Sequence, residues 1–155
     1  MEKMTKMLVF DMDGTITDLY GVQNWLNDLQ TEKVRPYEIA EPLYNMEVLK
    51  ATLELLKTLG WKIAITSWTA KGGSKEYNKA VAKAKKEWLD TFGFPYNELH
   101  FVKYGSTKAN STRGKADYQI LIDDNMEVRN GWTLGATIDA NENIIDILKQ
   151  LADLF

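Results

Sequence analysis

The sequence predicts an α/β domain, a mostly parallel central sheet flanked by helices. Two observations carry that expectation. Short apolar runs at 7–10, 61–65, 99–102, 118–122 and 135–139 alternate with segments whose apolar residues recur at helical spacing. Acidic and hydroxyl residues stand directly after several of these runs, and open parallel sheets bind ligands beyond the carboxyl ends of their strands.

Met7-Leu8-Val9-Phe10 reads as a strand buried on both faces, ending at Asp11. The segment 19–45 follows as a small irregular insert, with helical spacing only around Val22 to Leu29. From Met46, the positions Val48, Leu49, Leu53, Leu55, Leu56 and Leu59 predict a helix closed by Gly60. Trp61-Lys62-Ile63-Ala64-Ile65 predicts a second strand that stops at Thr66-Ser67-Trp68. Ser74 is the expected N-cap of a helix carrying Tyr77, Val81, Ala84, Trp88 and Leu89, whose many lysines are expected to face water. Leu99 to Val102 predicts a third strand, Tyr118 to Ile122 a fourth, Gly135 to Asp139 a short fifth, and Ile144 to Leu154 an amphipathic closing helix.

At 155 residues the chain fits the size of one domain, so 1–155 is read as a single unit. Apolar residues at 45% and charged ones at 26% match a globular protein rather than a disordered or membrane-embedded one. A net charge of -3 leaves no general basic excess, so extended nucleic-acid binding is not expected, whereas a small anionic substrate needs only local positive charge. The absence of cysteine removes disulfides, thiolate nucleophiles and zinc–thiolate sites together. Met1 to Lys6 leads into an apolar stretch too short for a signal peptide or membrane span, and the expected location is the cytoplasm.

Asp11-Met12-Asp13-Gly14-Thr15 is the strongest signal. Two carboxylates one residue apart, on a chain leaving a strand, can share one crevice, where one attacks phosphorus and the other handles a proton. Gly14 permits the turn that brings backbone amides toward an anion, with Thr15 beside it. Asp123 and Asp124 add charge at the same sheet edge. Four converging carboxylates require a cation, and Mg2+ suits oxygen ligands and phosphate substrates. Thr66 and Ser67 offer hydroxyl and amide donors for the transferring oxygens, and a lysine of the 104–115 loop would neutralise phosphoryl charge. Lys108 directly follows the third strand, Lys115 lies nearer Asp123, and Lys103 is a third candidate.

In that order, Asp11-Met12-Asp13-Gly14-Thr15, Ile65-Thr66-Ser67, a following lysine and Ile122-Asp123-Asp124 resemble the four motifs of the haloacid dehalogenase (HAD) superfamily. The resemblance implies a modified Rossmann core, with Asp11 as nucleophile and Asp13 as general acid and then base. It also implies Mg2+ held by Asp11, the Asp13 carbonyl and one of Asp123 or Asp124. An aspartate at position 13 favours phosphoester chemistry over dehalogenation. The short insert resembles compact phage- and bacterial-type members related to deoxyribonucleotidases, with a nucleoside monophosphate as the leading substrate class. Trp25, Tyr37 and Trp68 stand near the mouth where a base would stack, although Trp25, like Trp61, Trp88 and Trp132, also fits a packing role. His100 is expected to pack rather than react.

Three alternatives accompany this reading. A receiver domain also gathers acids, a hydroxyl and a lysine, but its paired acids follow the first strand and its phosphorylated aspartate the third. A phosphotransferase or phosphomutase of the same superfamily would keep water out, usually with a larger lid. A non-catalytic HAD-like binding module would have little use for Asp11, Asp13 and the later acid pair together.

Overall fold

The computed structural model describes residues 3–154, so Met1, Glu2 and Phe155, which the single-unit and leader readings include, lie outside the described residues. Five strands, β1 (Lys6–Phe10), β2 (Trp61–Trp68), β3 (Glu98–Val102), β4 (Tyr118–Asp123) and β5 (Thr137–Asp139), form one sheet in the order β3-β2-β1-β4-β5. Every pairing is parallel. Here the first strand lies between the second and the fourth, whereas in the receiver arrangement it lies between the second and the third. The topology therefore removes the receiver alternative and leaves the expected α/β, Rossmann-like sheet with flanking helices.

The helices are α1 (Trp25–Gln30), α2 (Arg35–Ile39), α3 (Met46–Thr58), α4 (Lys75–Thr91), α5 (Ala109–Thr112), α6 (Met126–Asn130) and α7 (Ile144–Leu154). Alternation along β1 sends Leu8 and Phe10 to one sheet face and Met7 and Val9 to the other, and all four are fully buried. On the first face Leu49, Leu53 and Leu56 of α3 and Ile144 and Leu148 of α7 complete the larger core. Each such leucine contributes about 1.5–3 kcal/mol by leaving water. The second face is thinner, formed by Ala64, Leu121, Ala109 and Trp132. Among the described residues, no helix is long and apolar enough to cross a membrane.

Helix limits follow local chemistry. Asn45 caps α3, its Oδ1 accepting from the amides of Glu47 and Val48 at 3.1 and 3.2 Å. Gly60 follows the helix with a φ of 98°, a conformation that a side chain resists. Ser74 caps α4, its Oγ accepting from the Tyr77 amide at 3.1 Å.

Four expectations need correction. Strand β2 runs past Ile65 to Trp68, because β3 pairs Thr66 with His100, Ser67 with Phe101 and Trp68 with Val102. Strand β5 starts at Thr137 rather than Gly135. The insert is more helical than its pattern suggests: α1 overlaps the 22–29 stretch, and α2, whose first turn Pro36 presets, was not expected. Lys85 of α4 does not face water; it is 1% exposed.

The insert is seated on α4. Leu19 and Tyr37 pack with Tyr77, Val81 and Ala84. The Trp88 indole donates to the Ala40 carbonyl at 2.8 Å, and the Tyr77 hydroxyl donates to the Lys33 carbonyl at 2.8 Å.

Candidate active site

The parallel register builds the site. Phe10 lies opposite Ile65 of β2 and Ile122 of β4, so the next residue on each strand, Asp11, Thr66 and Asp123, leaves the sheet at one level. The Asp11 amide still donates to the Ile122 carbonyl at 2.9 Å, which holds that carboxylate beside the end of β4. Beyond it the chain folds over the Met12 carbonyl, which accepts from the amides of Thr15, Ile16 and Thr17. Gly14 makes this turn with a φ of 78°, and a Cβ there would stand 2.5 Å from Asp124 Oδ2.

Lys108, buried at the start of α5, joins the two carboxylates. Its Nζ donates to Asp11 Oδ1 and to Asp123 Oδ2, each at 2.9 Å. The remaining Asp11 oxygen accepts from the Thr15 hydroxyl at 3.0 Å, and Asp124 Oδ1 lies 3.4 Å from the same hydroxyl. Lys115 lies elsewhere, paired with Glu98 at 3.1 Å and 45% exposed, and Lys103 is exposed. Asp13 turns away from Asp11 toward α4, where Lys85 Nζ donates to its Oδ2 at 2.7 Å.

Thr66 and Ser67 point to opposite faces, as neighbours on a strand do. The Thr66 hydroxyl bonds with Ser111 of α5 at 2.9 Å, and Ser111 in turn donates to the Lys108 carbonyl at 2.7 Å. The Ser67 hydroxyl accepts from Lys85 at 2.8 Å. Both hydroxyls are thus engaged in holding the two lysines. Trp68 donates to the Ser106 carbonyl at 3.0 Å and sets its ring 5.1 Å from Lys108 Nζ and 5.0 Å from the Tyr104 ring. His100 bonds to Glu98 at 2.9 Å within β3, outside this cluster.

One oxygen from each of Asp11, Asp123 and Asp124 falls within 4.8 Å of the others. The donor set is all oxygen, as a hard divalent cation prefers. Among the described residues, the carboxyls of Asp11, Asp13, Asp123 and Asp124 are met by two buried lysines, Lys85 and Lys108, so acidic groups outnumber buried cations here. The residues fit a divalent cation in both chemistry and charge. The Asp13 carboxylate, bound to Lys85, is not one of the three grouped oxygens.

Electrostatics separate the four acids. Burial pushes Asp11 up, but the Lys108 charge and hydrogen bond outweigh it and hold this carboxyl below the usual range. Asp13 is pushed up by burial against the pull of Lys85, with the Asp11 charge adding to the rise. Asp124 is pushed up to about 8, first by burial and then by its hydrogen bond to Asp11 and the Asp11 and Asp123 charges.

Above the carboxylates lies a cavity of about 370 Å³ with Tyr20, Trp25, Tyr37, Trp68, Tyr104 and Lys71 in its walls. Tyr20 and Trp25 meet edge to face at 4.9 Å. Trp61, Trp88 and Trp132 are core residues, whereas Trp25 is only half-buried and faces the cavity. Sequence reasoning overlooked Lys85, Ser111, Tyr20 and Tyr104. Lys85 alone had a signal, since it lies on the apolar stripe of α4 rather than on its polar face.

No protein-family model matches the sequence. No curated protein matches it either. Among solved structures, the chain is similar to D,D-heptose 1,7-bisphosphate phosphatase from Burkholderia thailandensis, with a TM-score of 0.50 and 11% identity over 93% of this chain and 99% of that one. At that identity the likeness is one of fold, and it agrees with the parallel sheet and flanking helices described above.

Proposed function

We propose that this chain is a phosphomonoester hydrolase that forms an aspartyl-phosphate on Asp11. One observation carries the reading: two carboxylates one residue apart are held by different lysines, Asp11 by Lys108 and Asp13 by Lys85. The first is kept anionic, as a nucleophile requires, and the second is biased toward its protonated form, as a general acid requires. The solved structure of similar fold is named a phosphatase, which agrees with this chemistry, but the argument rests on the site.

An Asp11 oxygen bonds to phosphorus as the ester P–O bond breaks, and the leaving oxygen takes a proton from Asp13. Water then bonds to phosphorus while giving a proton back to Asp13, and the bond from Asp11 to phosphorus breaks to release phosphate. Lys108 sets a positive charge beside the nucleophile and the incoming phosphoryl oxygens. Asp11, Asp123 and Asp124 would hold Mg2+, with the Asp13 carbonyl completing the set by resemblance to the HAD motifs. When bound there, the ion supplies the charge that lets a phosphate dianion approach an acidic pocket.

For the substrate, the aromatic walls of the cavity favour a flat apolar group attached to the phosphate, and a nucleoside monophosphate is such a molecule. The decisive assay is Mg2+-dependent phosphate release from p-nitrophenyl phosphate, followed by a panel of nucleotides and sugar phosphates. Asp11→Asn is expected to abolish release, and turnover retained by that variant would remove Asp11 as the nucleophile. Faster hydrolysis of sugar phosphates than of nucleotides would overturn the substrate class alone.

A further inference from the structure

Lys85 occupies a place where helix α4 should carry an apolar side chain. It shares the buried side of that helix with Tyr77, Val81, Ala84, Trp88 and Leu89. Its ammonium group makes three hydrogen bonds: to Asp13 Oδ2 at 2.7 Å, to Ser67 Oγ at 2.8 Å and to the Trp68 carbonyl at 3.1 Å. Those three acceptors use all three of its donors, and the Tyr37 ring lies 5.0 Å away on the insert side. The head group is therefore fixed from several directions.

A buried ion pair is a poor source of stability, because an apolar pair of similar volume often serves as well or better. What this pair does achieve is geometric. Lys85 binds one Asp13 oxygen, Oδ2, while Oδ1 accepts no hydrogen bond from the described residues and Asp13 itself lines the cavity. One oxygen is anchored and the other is left to face a substrate. Strand β2 supports this with consecutive residues, Thr66 serving the Lys108 side through Ser111 and Ser67 serving the Lys85 side.

We propose that Lys85 is a positioning residue that fixes the Asp13 carboxyl for proton transfer to the leaving group. The proposal rests on the hydrolase reading above. As the ester P–O bond breaks, the departing oxygen keeps the bonding electron pair and takes the Asp13 proton. The carboxylate so formed stands against the Lys85 ammonium until water returns a proton to it. A lysine that merely tied α4 to the sheet would affect stability and every substrate alike, whereas one acting through Asp13 matters most when the leaving group needs protonation.

The test compares wild type, Lys85→Met, Lys85→Arg, Asp13→Asn and the Asp13→Asn/Lys85→Met double variant on p-nitrophenyl phosphate and on phenyl phosphate, whose phenolate leaves less readily. Lys85→Met is expected to lower kcat on phenyl phosphate by about 10–100-fold with KM retained, to fall less on p-nitrophenyl phosphate, and to be partly rescued by arginine. The double variant is expected to be no slower than Asp13→Asn, because both changes remove one function. Equal loss on both esters, or losses that multiply in the double variant, would overturn the positioning role and leave the hydrolase reading intact. A wild type inactive on both esters overturns that reading, and the role of Lys85 with it. If Lys85→Met does not fold, the same cycle run with Lys85→Arg and Asp13→Asn decides between the two outcomes.

Discussion

Gly14 illustrates how much one residue can constrain. Its positive φ disfavours any side chain by about 1–2 kcal/mol, and a Cβ would press on Asp124 Oδ2. Gly14→Ala is therefore expected to lower stability by at least that range in urea denaturation and to weaken Mg2+ binding; unchanged Mg2+ affinity in a calorimetric titration would contradict the placement of Asp124 in the cation site. Lys108 is constrained by charge instead. Lys108→Met leaves Asp11 and Asp123 facing each other while buried, a loss of about 3–5 kcal/mol when one partner of such a pair is removed. Thermal melts should find that this loss is largest in EDTA and partly reversed by Mg2+, which stabilises only the state that binds it. A loss of equal size with and without Mg2+ would count against a shared cation. Asp11, Asp13, Asp123 and Asp124 were legible in the sequence because Asp11 and Asp123 directly follow buried apolar runs and Asp13 and Asp124 stand within two residues of those aspartates. Lys85 was missed although its spacing from Val81 and Trp88 puts it on the apolar stripe of α4, because a lysine among many on one helix is assigned to water by its charge.

At the scale of elements, α3, α4 and α7 were legible because each is long enough for apolar spacing to repeat, and α3 and α4 carry a capping residue at the expected place. Helices α5 and α6 were not, since four or five residues contain no full repeat. The far end of β2 was missed for another reason: Thr66, Ser67 and Trp68 break the apolar run, and only pairing with β3 extends the strand. Ser74 joins two elements, capping α4 while also bonding to Glu32 of the insert. Ser74→Ala is expected to lower stability by about 1 kcal/mol, measured by chemical denaturation. Unchanged stability would mean that the cap is replaced by water or by a neighbouring side chain.

Over the whole molecule, the amino edge of the sheet is fastened by Asp117, whose Oδ2 accepts from the Thr5 amide at 2.9 Å and from the Thr5 hydroxyl at 3.0 Å. These bonds, the amide first, hold the Asp117 carboxyl below its ordinary range. A group depressed on folding contributes stability above its unfolded value and loses it as pH falls through the folded one. Wild type is therefore expected to melt above Asp117→Asn near neutral pH, with the gap closing below about pH 4; a gap that persisted in acid would refute the clamp. The register has a consequence of a different kind. Because Asp11 and Asp123 stand one step past paired residues of neighbouring strands, adding a single amino acid inside β1 or β4 would carry a carboxylate about 3.3 Å onward and turn it to the opposite side. Codon-sized insertions and deletions there should be far more damaging than exchanges of one aliphatic side chain for another, whereas length changes in the surface turn around Gly72 should be borne with little loss.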